Sequence, residues 1–334
     1  MINVAIIGAG GMGNIHAQAY AAIPDVRIIA VADLLREKAL KITEKYGAKA
    51  YLSLDDLLSH EKPDIVTICT PSDLHAAMTL TCLQHKIHVL CEKPIALDVK
   101  QAANAVAAAG QNGVKLMIAQ VIRFWPEYMY LRHAVLKQTY GPLRQLWISR
   151  LSATPTWSPD NWFLNPARSG LAFYDLHIHD VDYIYHLLGR PQAVSSTCFQ
   201  SVDHMTSYIK TRYTYPGEVL VEAEGSWYRS CMPFSAGYRA VFDDTVLTYQ
   251  DKRLMVYPNQ ARPEELHLDQ GQLISDSGIN LSNLGPYANE VNYFVNCVRN
   301  NRPIEIAPPE ESLESLKVLT KELESAHKGH AVHL

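Results

Sequence analysis

The stretch VAIIGAGGMGNIHAQAY, residues 4–20, followed by VRIIAVAD, residues 26–33, decides the fold. An apolar run from Val4 to Ile7 breaks at Gly8. Gly8, Gly10 and Gly13 then space out as G-x-G-x-x-G, with Gly11 and Met12 between them, and Asn14 to Ala22 read as a helix. The first glycine permits a tight turn, the second lets backbone approach a pyrophosphate, and the third lets helix and strand pack closely. The helix points its free N–H groups and the positive end of its dipole at the phosphates. Asp33 lies 20 residues after Gly13, where a carboxylate accepts hydrogen bonds from an adenosine ribose. A glycine turn without a ligand is the alternative, but here the loop follows a strand, opens a helix and is answered by Asp33.

Length and composition bound the rest. A chain of 334 residues is expected to form two domains, each with its own core. Apolar content of 48% and charged content of 19% are those of a soluble globular protein. A net charge of −4 offers no footprint for nucleic acid or an anionic membrane. No basic-then-apolar leader precedes Val4, so no signal peptide is expected and a cytoplasmic location is. The apolar runs fall short of the ~20 residues of a membrane span. Six cysteines (Cys69, Cys82, Cys91, Cys198, Cys231 and Cys297) form no C-x-x-C pair and read as buried free thiols of a reducing compartment.

After Asp33, REKALKITEKYG reads as an amphipathic helix ended by Gly47. LDDLLSH is a short helix and DIVTIC, 64–69, a buried strand ending in Thr70-Pro71. A helix from Asp73 to His85, the strand IHVLCE (87–92), Lys93-Pro94, a helix from Asp98 to Ala109 and the strand KLMIAQ (115–120) follow. Strands alternating with helices mean βαβ units, so residues 1–121 read as a doubly wound, Rossmann-type α/β domain with a parallel sheet. Residues 122–334 read differently. A helix near 126–137 leads into strand-like runs at 143–151, 193–199, 207–215, 218–228, 238–242 and 245–250, with Pro216-Gly217 and Asp243-Asp244 as hairpin turns. This is an α+β substrate-binding and oligomerisation domain with a large, mostly antiparallel sheet, and helices near 286–300 and 309–327 close the chain.

Between its first two strands lies GLAFYDLHIHDVDYIYHLLG, residues 170–189. On an α-helix Asp175, His179, Asp182 and His186 fall within about 60° of one another, and apolar residues cover most of the rest. Several ionisable groups buried without partners cost kilocalories each. A ligand cleft facing the stripe is one explanation, and a structural Asp–His network is the other. His177 and His179 point about 160° apart on a helix, so no metal is expected here.

The Gly loop, the Thr70-Pro71 strand end, the CEKP turn (91–94) and the DLHIHDVD helix (175–182), in this order, resemble the Gfo/Idh/MocA family. These are the NAD(P)-dependent glucose–fructose oxidoreductase and inositol dehydrogenase relatives. The resemblance runs over the whole chain, with PIEIAPPEESLESLKVLTKELESAHKG similar to the family's closing strand and helix. It implies that Lys93 is the active-site lysine, Asp175 the substrate-orienting carboxylate and His179 the general base. Glu92, Thr70, Pro71 and His75 are implied near the cofactor, with capping or packing the alternative for His75. Arg123 is implied in the substrate pocket, with a hinge salt bridge as its alternative. Trp162 and Tyr238 could present aromatic faces to a sugar ring or simply pack in the core. A cis Lys93–Pro94 bond is expected.

Asp33 would repel a 2′-phosphate, so NAD is the expected cofactor, and the nearby Arg36 leaves NADP open. Inositol dehydrogenases of the family carry a histidine–asparagine pair where this chain reads SRLSATPTW, 149–157, which shifts the substrate from myo-inositol toward a pyranose or other polyol. The expected function is NAD-dependent oxidation of a secondary hydroxyl of a sugar or cyclitol. The rivals are a dinucleotide-bound sugar-sensing regulator and a glycosidase or lyase using transient oxidation. One sheet face is expected to meet a partner subunit, giving a homo-oligomer, dimer or tetramer.

Overall fold

The computed structural model describes residues 1–269 and 285–334. Its contacts group the chain into two units, Met1–Phe124 with the described part of 270–313, and Trp125–Asp269 with Glu314–Leu334.

The first unit alternates strands and helices: β1 (Ile2–Ile7), α1 (Gly11–Ala21), β2 (Val26–Ala32), α2 (Arg36–Tyr46), β3 (Lys49–Tyr51), α3 (Leu54–His60), β4 (Ile65–Ile68), α4 (His75–Gln84), β5 (His88–Glu92), α5 (Val99–Asn112) and β6 (Leu116–Ala119). The strands pair in the order β3-β2-β1-β4-β5-β6, all parallel. This is the doubly wound order whose direction reverses between β1 and β4, the switch point where such sheets hold ligands. Local chemistry sets the ends. Asp98 accepts the Gln101 N–H at 2.9 Å to cap α5, worth about 1 kcal/mol. Gly47 ends α2 at φ 66°, a left-handed conformation in which its N–H reaches the Thr43 carbonyl.

The second unit contains α6 (Pro126–Leu136), β7 (Leu143–Ala153), α7 (Pro166–Ser169), α8 (Ile178–Leu188), β8 (Ala193–Gln200), β9 (Ser207–Thr214), β10 (Leu220–Tyr228), β11 (Ser235–Phe242), β12 (Thr245–Gln250), β13 (Arg253–Pro258) and β14 (Glu264–Leu266). Two helices, α9 (Gly285–Arg299) and α10 (Pro309–Lys328), and the short β15 (Val332–His333) end the chain. The sheet runs β14-β13-β12-β11-β7-β10-β9-β8-β15 and is antiparallel except where β7 meets β10. The hairpins β9–β10 and β11–β12 turn where the sequence placed them. Strands β3, β13, β14 and β15 were not foreseen, and residues 303–306 form no strand. Along β9, Ser207, Ile209, Thr211 and Tyr213 are buried while Tyr208, Lys210 and Arg212 point outward, the alternation of a sheet covered on one face.

One feature departs from the sequence division at 121/122, which gave 285–313 to the second domain. Val291, Phe294 and Val295 of α9 join the core built by Val4, Ile6, Ala17 and Tyr20, so α9 packs with the first unit.

Candidate functional site

The glycine loop separates structural from ligand-facing positions. A Cβ on Gly8, at φ 93°, would lie 2.5 Å from the Cys69 carbonyl oxygen, and one on Gly13 would lie 2.0 Å from that of Gly8. Those two glycines are required by the fold itself. A Cβ on Gly10 would meet nothing within 4 Å. Gly10 is also the N-cap of α1 and supplies no side-chain cap to the first-turn N–H groups. Asp33 sits at the end of β2, with Oδ2 accepting from the Ala9 N–H at 2.7 Å and Oδ1 from the Leu35 N–H at 2.8 Å.

At the end of β5 the chain turns at Lys93–Pro94, a cis bond as expected. Glu92 is 7% exposed. Its Oε1 lies 2.8 Å from Nε2 of the buried His16 on α1, and its Oε2 accepts the Lys93 N–H at 3.2 Å. Burial pushes the Glu92 carboxyl up, but the hydrogen bond from His16, with the Lys93 charge behind it, holds it below the usual carboxylate range. Lys93 itself is half-buried. His75, 1% exposed, has Nδ1 2.7 Å from the Pro94 carbonyl oxygen and Nε2 2.8 Å from that of Thr70. Burial lowers its pKa against those hydrogen bonds. His75 therefore ties the Thr70-Pro71 strand end to the Lys93-Pro94 turn, which is the packing role. Thr70 and Pro71 are half-buried.

In the second unit, the expected single α-helix over 170–189 opens with a π-helical turn, Phe173–His177, before α8. Its i→i+5 bonding rotates Asp175 relative to the residues that follow, so the even 100° stripe is corrected. Burial divides the ionisable groups. His177 is fully buried with Nε2 2.8 Å from Glu322 Oε2, and the same oxygen accepts from Thr211 Oγ1 at 3.0 Å. Gly225 on β10 makes room, since a Cβ there would lie 2.8 Å from that of His177. Asp180, 0% exposed, takes a two-pronged ion pair from Arg150 at 2.8 and 3.3 Å. Asp182 is buried and accepts from Ser315 Oγ at 3.0 Å. Asp175, His179 and His186 are half-buried. His177, Asp180 and Asp182 thus belong to a buried structural network, and Asp175, His179 and His186 lie less deeply.

Arg123 and Tyr238 take their alternative readings. Arg123, whose side chain is fully buried, donates to the Ile306 carbonyl at 2.9 Å and pairs with Glu311, the salt-bridge alternative. Tyr238 is 2% exposed, donates to the Glu127 carbonyl at 2.9 Å and packs edge-on against Tyr128; its ring is core and offers no face to a sugar. Trp162 is half-buried and stacks on Phe163 at 4.1 Å, which also meets Trp157 and Trp227 edge-on. Among the cysteines, Cys198 and Cys231 are exposed, contrary to expectation, because they lie on the uncovered end of β8 and in the loop after β10.

Residues 2–120 match the family described as "Oxidoreductase family, NAD-binding Rossmann fold", and residues 128–244 match the GFO/IDH/MocA C-terminal domain. The chain belongs to the Gfo/Idh/MocA family. It is 27% identical to an inositol 2-dehydrogenase of Rhizobium meliloti (strain 1021) over 92% of this chain and 91% of that one. It is 32% identical to a D-glucoside 3-dehydrogenase of Escherichia coli (strain K12) over 60% of this chain and 58% of the relative. The fold superposes with a TM-score of 0.88, at 17% identity and covering 99% of this chain and 98% of the other, on an oxidoreductase from Agrobacterium radiobacter solved with NAD+, L-tartaric acid and magnesium.

This Gfo/Idh/MocA member is thus an NAD-binding oxidoreductase. The residues present fit the dinucleotide: Gly10 leaves the approach open, α1 is uncapped, and Asp33 stands at the β2 end. Sequence reasoning missed His16, Glu290 and Glu322, the buried polar groups behind the named motifs. A histidine and a glutamate on the apolar faces of α1 and α9 were the signals available.

Proposed function

We propose that this Gfo/Idh/MocA member oxidises a secondary hydroxyl of a pyranose or cyclitol to the ketone. The reading is carried by exposure along the 173–188 segment, where Asp175 and His179 keep half-buried positions while His177, Asp180 and Asp182 are buried. The dehydrogenase relatives, which bear the names of sugar and cyclitol substrates, support it.

NAD supplies the hydride acceptor. His179 takes the hydroxyl proton as the carbon–hydrogen bond breaks, since neutral imidazole is a base suited to ordinary pH. The Lys93 ammonium donates to the oxygen as negative charge develops. Asp175 accepts from substrate hydroxyls and orients the ring, and Trp162 offers an apolar flank to it. A cytoplasmic location and a homo-oligomer formed through the sheet belong to the same proposal. Sedimentation velocity on the purified chain reads the assembly.

The test is a panel of pyranoses and inositols, each with NAD and with NADP, followed by NADH or NADPH absorbance. Net NADH formed with at least one of them is expected, with NAD preferred. Consumption of a glycoside without net NADH would replace the dehydrogenase with the transient-oxidation rival.

A further inference from the structure

Behind the glycine loop lies a largely buried group of ionisable side chains that the proposed chemistry does not use. It comprises His16 on α1, Glu92 at the end of β5, Glu290 on α9 and Cys69 at the end of β4. Glu290 is 0% exposed, and neither of its carboxyl oxygens has a hydrogen-bond partner among the described residues. Burial, and then the neighbouring Glu92 charge, push the Glu290 carboxyl well above the carboxylate range, so it is neutral. The Cys69 thiol is pushed up by the same two causes in the same order and is neutral too.

The Nδ1 of His16 is buried with no hydrogen-bond partner among the described residues, while its Nε2 lies 2.8 Å from the Glu92 carboxylate. Burial pushes the Glu92 carboxyl up, but the hydrogen bond from His16 holds it below the usual carboxylate range, so Glu92 is the anion of the pair. Lys93, the next residue, is the cation acting on it.

We propose that the buried His16–Glu92 pair biases the dinucleotide site toward the oxidised form of NAD, whose nicotinamide ring is cationic. The strand order is the geometric ground. A dinucleotide held with its ribose at Asp33 on β2 and its pyrophosphate at the α1 N-terminus would direct its other half toward β4 and β5, the strands that follow β1 in the sheet. Glu92 closes β5. An anion fixed in a medium of low dielectric stabilises a nearby cation and does nothing comparable for the neutral reduced ring. Glu290, held neutral, adds no second charge. The inference rests on NAD being the cofactor and is independent of the sugar substrate.

The experiment measures dissociation constants for NAD+ by calorimetry and for NADH by fluorescence, at one pH, in the wild-type chain and in Glu92→Gln. The amide keeps the shape and an acceptor for His16 while removing the charge. The ratio of the NAD+ to the NADH constant should rise about tenfold, the size of one charge acting through a partly buried medium over ~10 Å. Glu92→Asp, which keeps the charge, and Glu290→Gln, which replaces a neutral group, should hold the ratio within about twofold of the wild type. Should Glu92→Gln not fold, His16→Phe serves. Without its donor Glu92 takes a proton more readily, so the ratio should move toward NADH as pH falls from about 8 to about 5.5 while the wild type stays flat. Both forms binding a folded Glu92→Gln at the wild-type ratio, or a flat His16→Phe profile, overturns the proposal alone. Failure of the wild type to bind either form overturns the cofactor reading and the proposal together.

Discussion

Asp33 closes the glycine loop on itself: its Oδ2 accepts the Ala9 N–H at 2.7 Å while Oδ1 accepts the Leu35 N–H. The carboxylate that the sequence assigned to a ribose is also the clasp between the loop and the turn after β2. Any change at Asp33 therefore alters cofactor contact and loop order at once.

Replacing Asp33 with Ser should weaken NAD binding by about tenfold or more, since hydrogen bonds to a charged group are worth about 1.5–3 kcal/mol. NADP should bind better relative to NAD, because the charge that repels a 2′-phosphate is gone. The absolute gain for NADP should be small, because the loosened loop weakens both. Calorimetric titration with each dinucleotide checks this; a wild-type chain that already prefers NADP tenfold contradicts the role given to Asp33.

Glu322 and Glu324 lie two residues apart on α10 and should behave oppositely. Glu322 is fully buried and satisfies His177 and Thr211. Glu322→Ala leaves a buried imidazole and hydroxyl without their acceptor, which should cost about 3 kcal/mol or more. Glu324 is part-exposed and pairs with Lys321 and Lys328 on its own helix, so Glu324→Ala should cost well under about 1 kcal/mol. Urea denaturation of the two variants separates them, and equal effects would contradict the buried network.

Glu290 gives a pH dependence of defined sign. In the unfolded chain it titrates near its ordinary value of 4.5, whereas burial raises it in the folded state. Between those values the folded state holds the extra proton, so stability is fully present below about pH 4.5 and is lost as pH rises through the folded value. The wild-type melting temperature should therefore fall more than that of Glu290→Gln between about pH 5 and about pH 8. Parallel curves for the two proteins would show that Glu290 is ionised in the fold.

For the proposed chemistry, His179→Ala should lower kcat by roughly 10²–10⁴-fold, the worth of a positioned acid–base group, with little change in NAD affinity. Lys93→Met should also lower kcat. The double variant should lose less than the product of the two, because both groups serve one proton transfer. Asp175→Ala should act mainly on KM. Steady-state kinetics on the best substrate decides, and full activity in both His179→Ala and Lys93→Met would return these residues to structural roles.

Local sequence determined the Rossmann half almost completely. Its strands are short apolar runs and its turns are glycines whose absent side chains are demanded within a few residues or by the adjacent strand. Most of those signals are short-range: the contacts that make Gly13, Gly47 and Asp98 what they are lie within a few residues, and only Gly8 answers to a distant residue, Cys69 on the neighbouring strand end. The hairpins at Pro216-Gly217 and Asp243-Asp244 were legible for the same reason. Lys93, Asp175 and His179 were picked out by the order of motifs along the chain, with only a helical stripe to support two of them.

Tertiary structure decided the partners of the polar groups in this helical segment. His177, Asp180 and Asp182 find Glu322, Arg150 and Ser315, residues 30 to 145 positions away, and periodicity carries no trace of such partners. The same holds for Arg123 with Glu311, for Tyr238 with Glu127, and for α9 joining the first core. The π turn at Phe173–His177 lies outside the reach of pattern as well, because one added residue per turn leaves the composition of the helix unchanged. Local pattern therefore determined most of the elements and the family of chemistry, and packing chose which charges are buried in pairs, since only a folded chain brings a distant donor to a buried acceptor.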